Sequence, residues 1–141
     1  MHLKRTVGFF FVLFAFLIST QANVVCMCVT TPVTFSEVID GDSIWVKKEG
    51  EKVLVHFSEI DAPEINEPGK ILECPQDQQK ARLARDLIQE MLTSAKEVGL
   101  IIKEKISELE LRAQVYADGL SVGQELLYKY FAVEGKWDQC E

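Results

Sequence analysis

The sequence predicts a small β-barrel with helices, an α+β domain of the OB type, on three observations. Ile44, Val46, Val53, Val55 and Phe57 alternate with polar neighbours across Glu49-Gly50, which is a hairpin pattern. Ala84, Leu87, Ile88, Met91, Leu92 and Ala95 recur at three- and four-residue steps, which is the apolar stripe of a helix over 76–95. Two further strand-like runs, 100–106 and 111–116, follow that helix, and 122–132 reads as a second, shorter one. Three strands, helix, two strands, helix is compatible with a closed OB-type barrel. Patterning alone leaves the topology open.

The first strand is expected from Val33 to Ile39, after a lead-in, 23–32, closed by Pro32, and Asp40-Gly41-Asp42 reads as a tight turn. Ile60 continues the ladder as far as Asp61-Ala62-Pro63, where Pro63 has no N–H to donate. Pro75 suits a first helical turn, and Gly99 is expected to break the pattern ahead of the fourth strand. Ala117-Asp118-Gly119 reads as the turn after the fifth. Trp45 falls out of phase with Ile44 and Val46, and Tyr128 and Tyr130 read as packing residues with wet hydroxyls.

The 141 residues suffice for one domain and are too few for two. Residues 1–22 read as a cleaved signal peptide: Lys4 and Arg5 precede an unbroken apolar run from Val7 to Ile18, and Ala22 offers a small residue before the cut. The competing reading is a membrane anchor, but a span takes roughly 20 apolar residues. Residues 23–141 then form the domain, secreted or periplasmic, without a membrane span. Loss of Lys4 and Arg5 takes the formal charge from −7 to −9. An acidic surface repels polyphosphate, which argues against nonspecific nucleic-acid binding unless a local groove is basic. Export places Cys26, Cys28, Cys74 and Cys140 in an oxidising compartment, where disulfides are the default.

The chemistry is carried by acids at two expected strand ends. Asp40 and Asp42 flank Gly41, while Asp61 and Glu64 bracket Ala62-Pro63. If the two segments pair as neighbouring strands, Asp42 and Asp61 can point into one small volume, and their repulsion calls for a cation or a shared proton. Hard oxygen ligands suit calcium or magnesium, with the Ala62 carbonyl as a further donor. Ordinary turn chemistry explains the same residues, since Asp-Gly is a common turn and Asp-x-Pro a common strand stop.

The run Val38-Ile39-Asp40-Gly41-Asp42-Ser43-Ile44-x-Val46, nine residues, then His56-Phe57-x-x-Ile60-Asp61-Ala62-Pro63-Glu64 resembles the signature of the thermonuclease (staphylococcal nuclease-like) family. Val115-Tyr116-Ala117-Asp118-Gly119 and the stretch Gly123 to Leu127 are similar to the family's later strand, turn and helix. The resemblance covers about residues 33–141. It implies a five-stranded OB-type barrel that hydrolyses DNA or RNA phosphodiesters with calcium, as a monomer. Asp42 and Asp61 match the calcium-holding side chains and Ala62 the residue lending its carbonyl. Glu64 matches the carboxylate that activates water, and Asp40 an acid behind the metal ligands, while Ser43 stands for the usual threonine. Cys74 and Cys140, with Gly135-Lys136-Trp137 before the latter, resemble exported members that carry both cysteines, which implies a Cys74–Cys140 disulfide.

Two departures decide what to expect. His56 stands at the family's first catalytic arginine, and Glu110 at the second. Arginine meets the charge of a five-coordinate phosphorane with a planar fork of donors and keeps its proton. A neutral imidazole donates one hydrogen bond, and a glutamate repels the phosphate. Arg112, two residues along the same expected strand and about 7 Å away, is the remaining cation within reach. The expectations are therefore a calcium-dependent nuclease of reduced activity, with Glu64, His56 and Arg112 around the phosphate, or an inactive barrel that binds nucleic acid or protein.

Overall fold

In a computed structural model, residues 28–65 and 74–138 are described. The expected signal peptide, Cys26 and Cys140 lie outside them. The elements are β1 (Thr31–Val38), β2 (Ser43–Lys48), β3 (Glu51–Phe57), β4 (Ile60–Asp61), α1 (Pro75–Ser94), β5 (Val98–Ser107), β6 (Glu110–Ala117), β7 (Leu120–Ser121), α2 (Val122–Tyr128) and β8 (Val133–Glu134). β1, β2 and β3 form an antiparallel meander, β5 joins the other edge of β1, and β6 follows β5. β6 then pairs in parallel with β3, from Leu54↔Glu110 to Phe57↔Ala113, and closes a five-stranded mixed barrel. This is the OB-type barrel with helices that the sequence predicts. No helix among the described residues is long and apolar enough to cross a membrane.

The alternation works as expected: Ile44, Val46, Val53, Val55, Leu100, Leu111, Ala113 and Val115 fill the barrel, with α1 and α2 adding Ala84, Ile88, Leu92, Val122 and Leu126 to the same core. The hairpin turn places Glu49 at φ 53° and Gly50 at φ 91°, a pair of left-handed residues whose twist matches that of the flanking strands. Asp118 at φ 50° and Gly119 at φ 81° turn β6 into β7 in the same way. Asp118 also accepts hydrogen bonds from the Lys96 and Glu97 N–H groups, so it anchors the connection after α1.

Four boundaries depart from expectation, each for a physical reason. β1 starts at Thr31 and includes Pro32, because residues 31–33 pair with β5 and residues 34–38 with β2. Pro32 thus sits where the strand has one neighbour and its missing N–H leaves no gap in the ladder. Gly99 lies inside β5 instead of ahead of it; a Cβ there would come within 2.4 Å of Thr30 Oγ1 and 2.6 Å of Thr30 Cβ. Gly99→Ala should therefore destabilise the barrel by about 1–3 kcal/mol in denaturant titration, with partial rescue by Thr30→Gly. A change within about 0.5 kcal/mol would show that Thr30 moves aside at no cost.

The second helix ends at Tyr128, four residues early. Tyr130 takes φ 59°, Phe131 N–H bonds to Leu126 O and Tyr130 N–H to Leu127 O, the two bonds of a Schellman stop built without glycine. That turn leaves Tyr128 and Tyr130 on the surface, about 80% exposed, and not packed as their sequence pattern suggests. Finally, Ile60 and Asp61 do not extend β3. Glu59 at φ 70° breaks the strand, and β4 pairs instead with β8, Ile60↔Glu134 and Asp61↔Val133.

Candidate functional site

The Asp40-Gly41-Asp42 turn is built locally. Asp42 N–H donates to Asp40 Oδ1 at 3.1 Å, so the Asp40 side chain caps its own turn. Ile39 N–H bonds to Ser43 O at 2.9 Å, and Phe57 N–H to Asp42 O at 2.8 Å, which fixes the turn to the end of β3. Gly41 is required by close approach: a Cβ on it would lie 2.8 Å from Ala62 Cβ and 3.4 Å from Pro63 O. The absent side chain thus lets the two acidic segments approach, not as the neighbouring strands expected from the sequence, since β4 pairs with β8.

Ala62 N–H donates to Asp42 Oδ2 at 3.2 Å and Ser43 Oγ to Asp42 Oδ1 at 3.0 Å. Burial, and then the neighbouring Asp40 carboxylate, push the Asp42 carboxyl up to about 7 from its ordinary 3.8, against the lowering by those two donors. Asp42 therefore holds a proton near neutrality.

Asp61 is engaged differently. Its Oδ2 accepts the Trp137 backbone N–H at 2.8 Å, so the segment after β8 is strapped to β4. The Trp137 ring carries the Lys80 ammonium at 4.8 Å from its centroid, a cation–π contact that joins the strap to α1. Glu64 has an exposed side chain, and its carbonyl accepts from Gln78 Nε2 at 2.9 Å. The sequence holds no signal for the Trp137 contact, which crosses 76 positions.

The two positions where the resemblance calls for arginine meet each other. His56 Nε2 lies 2.9 Å from Glu110 Oε1, across the parallel β3–β6 pair, with both side chains about a third exposed. On its other side His56 Nδ1 lies 3.3 Å from Ser43 Oγ. A continuous hydrogen-bonded chain thus runs Glu110–His56–Ser43–Asp42. With a neutral ring, Nε2–H donates to Glu110 and Ser43 gives its proton to Nδ1 or to Asp42; with a protonated ring both nitrogens donate and Ser43 turns to Asp42. Arg112 sits opposite His56 in the register, but its Nε pairs with Glu104 Oε2 at 3.3 Å. That pair is half exposed on each side and weakly held.

The donors match a hard cation in kind, since Asp42, Asp61 and the Ala62 carbonyl offer oxygen. Among the described residues no three His, Cys, Asp or Glu side chains converge as a metal-holding group. A cation would share Asp61 with the Trp137 N–H and would displace the proton on Asp42. Neither described cysteine, Cys28 or Cys74, is a free thiol. The expected Cys74–Cys140 pairing falls outside the described residues. The sequence matches no protein-family model and no curated protein.

Proposed function

We propose that this chain is a thermonuclease-like barrel whose hydrolysis of DNA or RNA phosphodiesters is reduced at least about a thousandfold. The observation that carries the reading is the 2.9 Å contact between His56 and Glu110. Two arginines would present a phosphate with two forks of donors. Here the same positions satisfy each other, and Arg112, opposite His56 in the register, is paired with Glu104. Charge on the equatorial phosphate oxygens thus meets no fixed cation, and Glu110 opposes it. The residual chemistry assigned to the site is water activation by Glu64 with calcium held by Asp42, Asp61 and the Ala62 carbonyl, the ion supplying Lewis-acid stabilisation when bound. Export behind a cleaved signal and a Cys74–Cys140 disulfide belong to the same reading, supported by the Val7–Ile18 run and the oxidised state of Cys74.

Calcium binding should be weak, in the range of about 10⁻⁴–10⁻³ M, because two carboxylates and one carbonyl leave an open shell. Thermal unfolding in millimolar calcium should shift upward, and the shift should vanish in Asp42→Ala. An equal response in that variant would remove the metal from the site.

A second reading, an inactive module that binds nucleic acid or protein, is favoured by the Trp137 strap on Asp61, which occupies one of the acids. A nuclease assay with calcium, run beside Asp42→Ala to expose contaminants, tests both. Cleavage lost in the variant supports the slow enzyme, and no cleavage by either supports the module.

A further inference from the structure

Asp61 owes its placement to a segment 76 positions further along the chain. β4 is only two residues long and is held by β8, through Ile60↔Glu134 and Asp61↔Val133. Gly135, at φ 91°, then turns the chain after β8, and the Trp137 N–H comes back onto Asp61 Oδ2 at 2.8 Å. A Cβ on Gly135 would meet nothing within 4 Å, so conformation alone calls for glycine at this turn. The Trp137 ring, with Lys80 Nζ at 4.8 Å from its centroid, ties the turn to α1. Asp42 is held without this segment, by Ser43 Oγ and the Ala62 N–H.

A carboxylate that binds a metal is itself oriented by hydrogen bonds, and losing such a partner typically costs about tenfold to a hundredfold in affinity. The Trp137 bond takes one oxygen of Asp61, and a carboxylate has a second with its own lone pairs. We infer that the Trp137 strap is a positioning element for the cation: its N–H fixes the Asp61 carboxylate by one oxygen and leaves the other for the ion, while Lys80 against the ring keeps the strap in place. This role rests on the reading of Asp42, Asp61 and the Ala62 carbonyl as a calcium site. Strap docking and cation binding then strengthen each other by linkage.

The test is a calcium chloride titration of the isotope-labelled protein, followed by amide chemical shifts against sodium chloride of equal ionic strength. In the parent, the Asp42, Ala62 and Trp137 amides should move together and saturate at one midpoint, in the range of about 10⁻⁴–10⁻³ M. Trp137→Pro, which removes the N–H, should raise that midpoint about tenfold to a hundredfold. Trp137→Phe keeps the N–H and a ring for Lys80 and should stay within about twofold, with Trp137→Ala between the two. Gly99→Ala, destabilised elsewhere in the barrel, should keep the parental midpoint, which separates positioning from loss of stability. A Trp137 amide that stays still while the Asp42 amide saturates overturns the inference without any substitution, as does a parental midpoint in Trp137→Pro. A lower midpoint in that variant also overturns it, because strap and ion would then compete for Asp61. Saturation in none of the chains, at the Asp42 and Ala62 amides included, removes the cation site itself and the strap's role with it.

Discussion

Replacing His56 and Glu110 together by arginine should raise calcium-dependent cleavage of DNA or RNA by about three orders of magnitude. One donor aimed at developing charge is worth about 10²–10³ in rate, and an arginine on a phosphoryl group about 10³–10⁵. The two effects are not additive, which holds the expected gain near the lower figures. The geometry suits the exchange because the two side chains already share one spot between β3 and β6. Glu110→Arg alone should improve substrate binding, since it removes an anion and adds a cation. Arg112→Ala is the companion variant. It lowers native cleavage only if Arg112 leaves Glu104 for the phosphate. Single-turnover rates at saturating calcium, with circular dichroism to confirm the fold, decide the matter. A silent double-arginine variant that still binds calcium would place the defect in the acids. Strong native cleavage that survives Arg112→Ala would show that no arginine is needed.

The second large effect is on stability against pH. Asp42 holds its proton up to about 7 in the folded chain and only to about 3.8 when unfolded. An acid with a raised folded-state pKa stabilises the fold fully below its unfolded value, and that contribution is lost as pH rises through the folded one. Stability should therefore fall between about pH 4 and 7 and level off above. At about 1.4 kcal/mol per pH unit the interval corresponds to about 4 kcal/mol, an upper figure because exposed carboxylates titrate across the same range. The measurement is the difference between parent and Asp42→Asn in urea titrations from pH 4 to 8, which cancels those other groups. A difference independent of pH would show that Asp42 is already ionised in the fold. Added calcium should steepen nothing and flatten the loss near neutrality, because the carboxylate that rising pH exposes is the form a cation needs.

What was legible in the sequence was whatever short-range patterning specifies. Alternation at Ile44–Phe57 and the stripe from Ala84 to Ala95 are local signals, and both elements sit where those signals place them. The Asp-Gly-Asp turn was readable because Asp40 caps it from within. Contacts without a local signature were not readable. β4 and β8 have two residues each, too few to show a period, and pair across more than 70 positions. Tyr130 ends α2 in a conformation that glycine normally marks, so the stop left no trace. Gly99 read as a breaker because its reason, Thr30, lies just before β1, far away in sequence. The His56–Glu110 contact spans 54 positions. The resemblance put both at arginine positions, but their meeting depends on the parallel register that closes the barrel.

That closure also governs how the chain reaches its fold. β3 and β6 are separated in sequence by more than fifty residues that hold β4, α1 and β5. Loop-closure entropy is lost before the pairing returns anything, so folding is set by a contact of high sequence separation and belongs with slow barrels, not fast helical bundles. The Leu54 and Ser58 amides, which bond to Leu109 and Ala113 across the seam, should exchange with solvent only through global unfolding. Because His56 and Glu110 lie on the same seam, their contact depends on its closure.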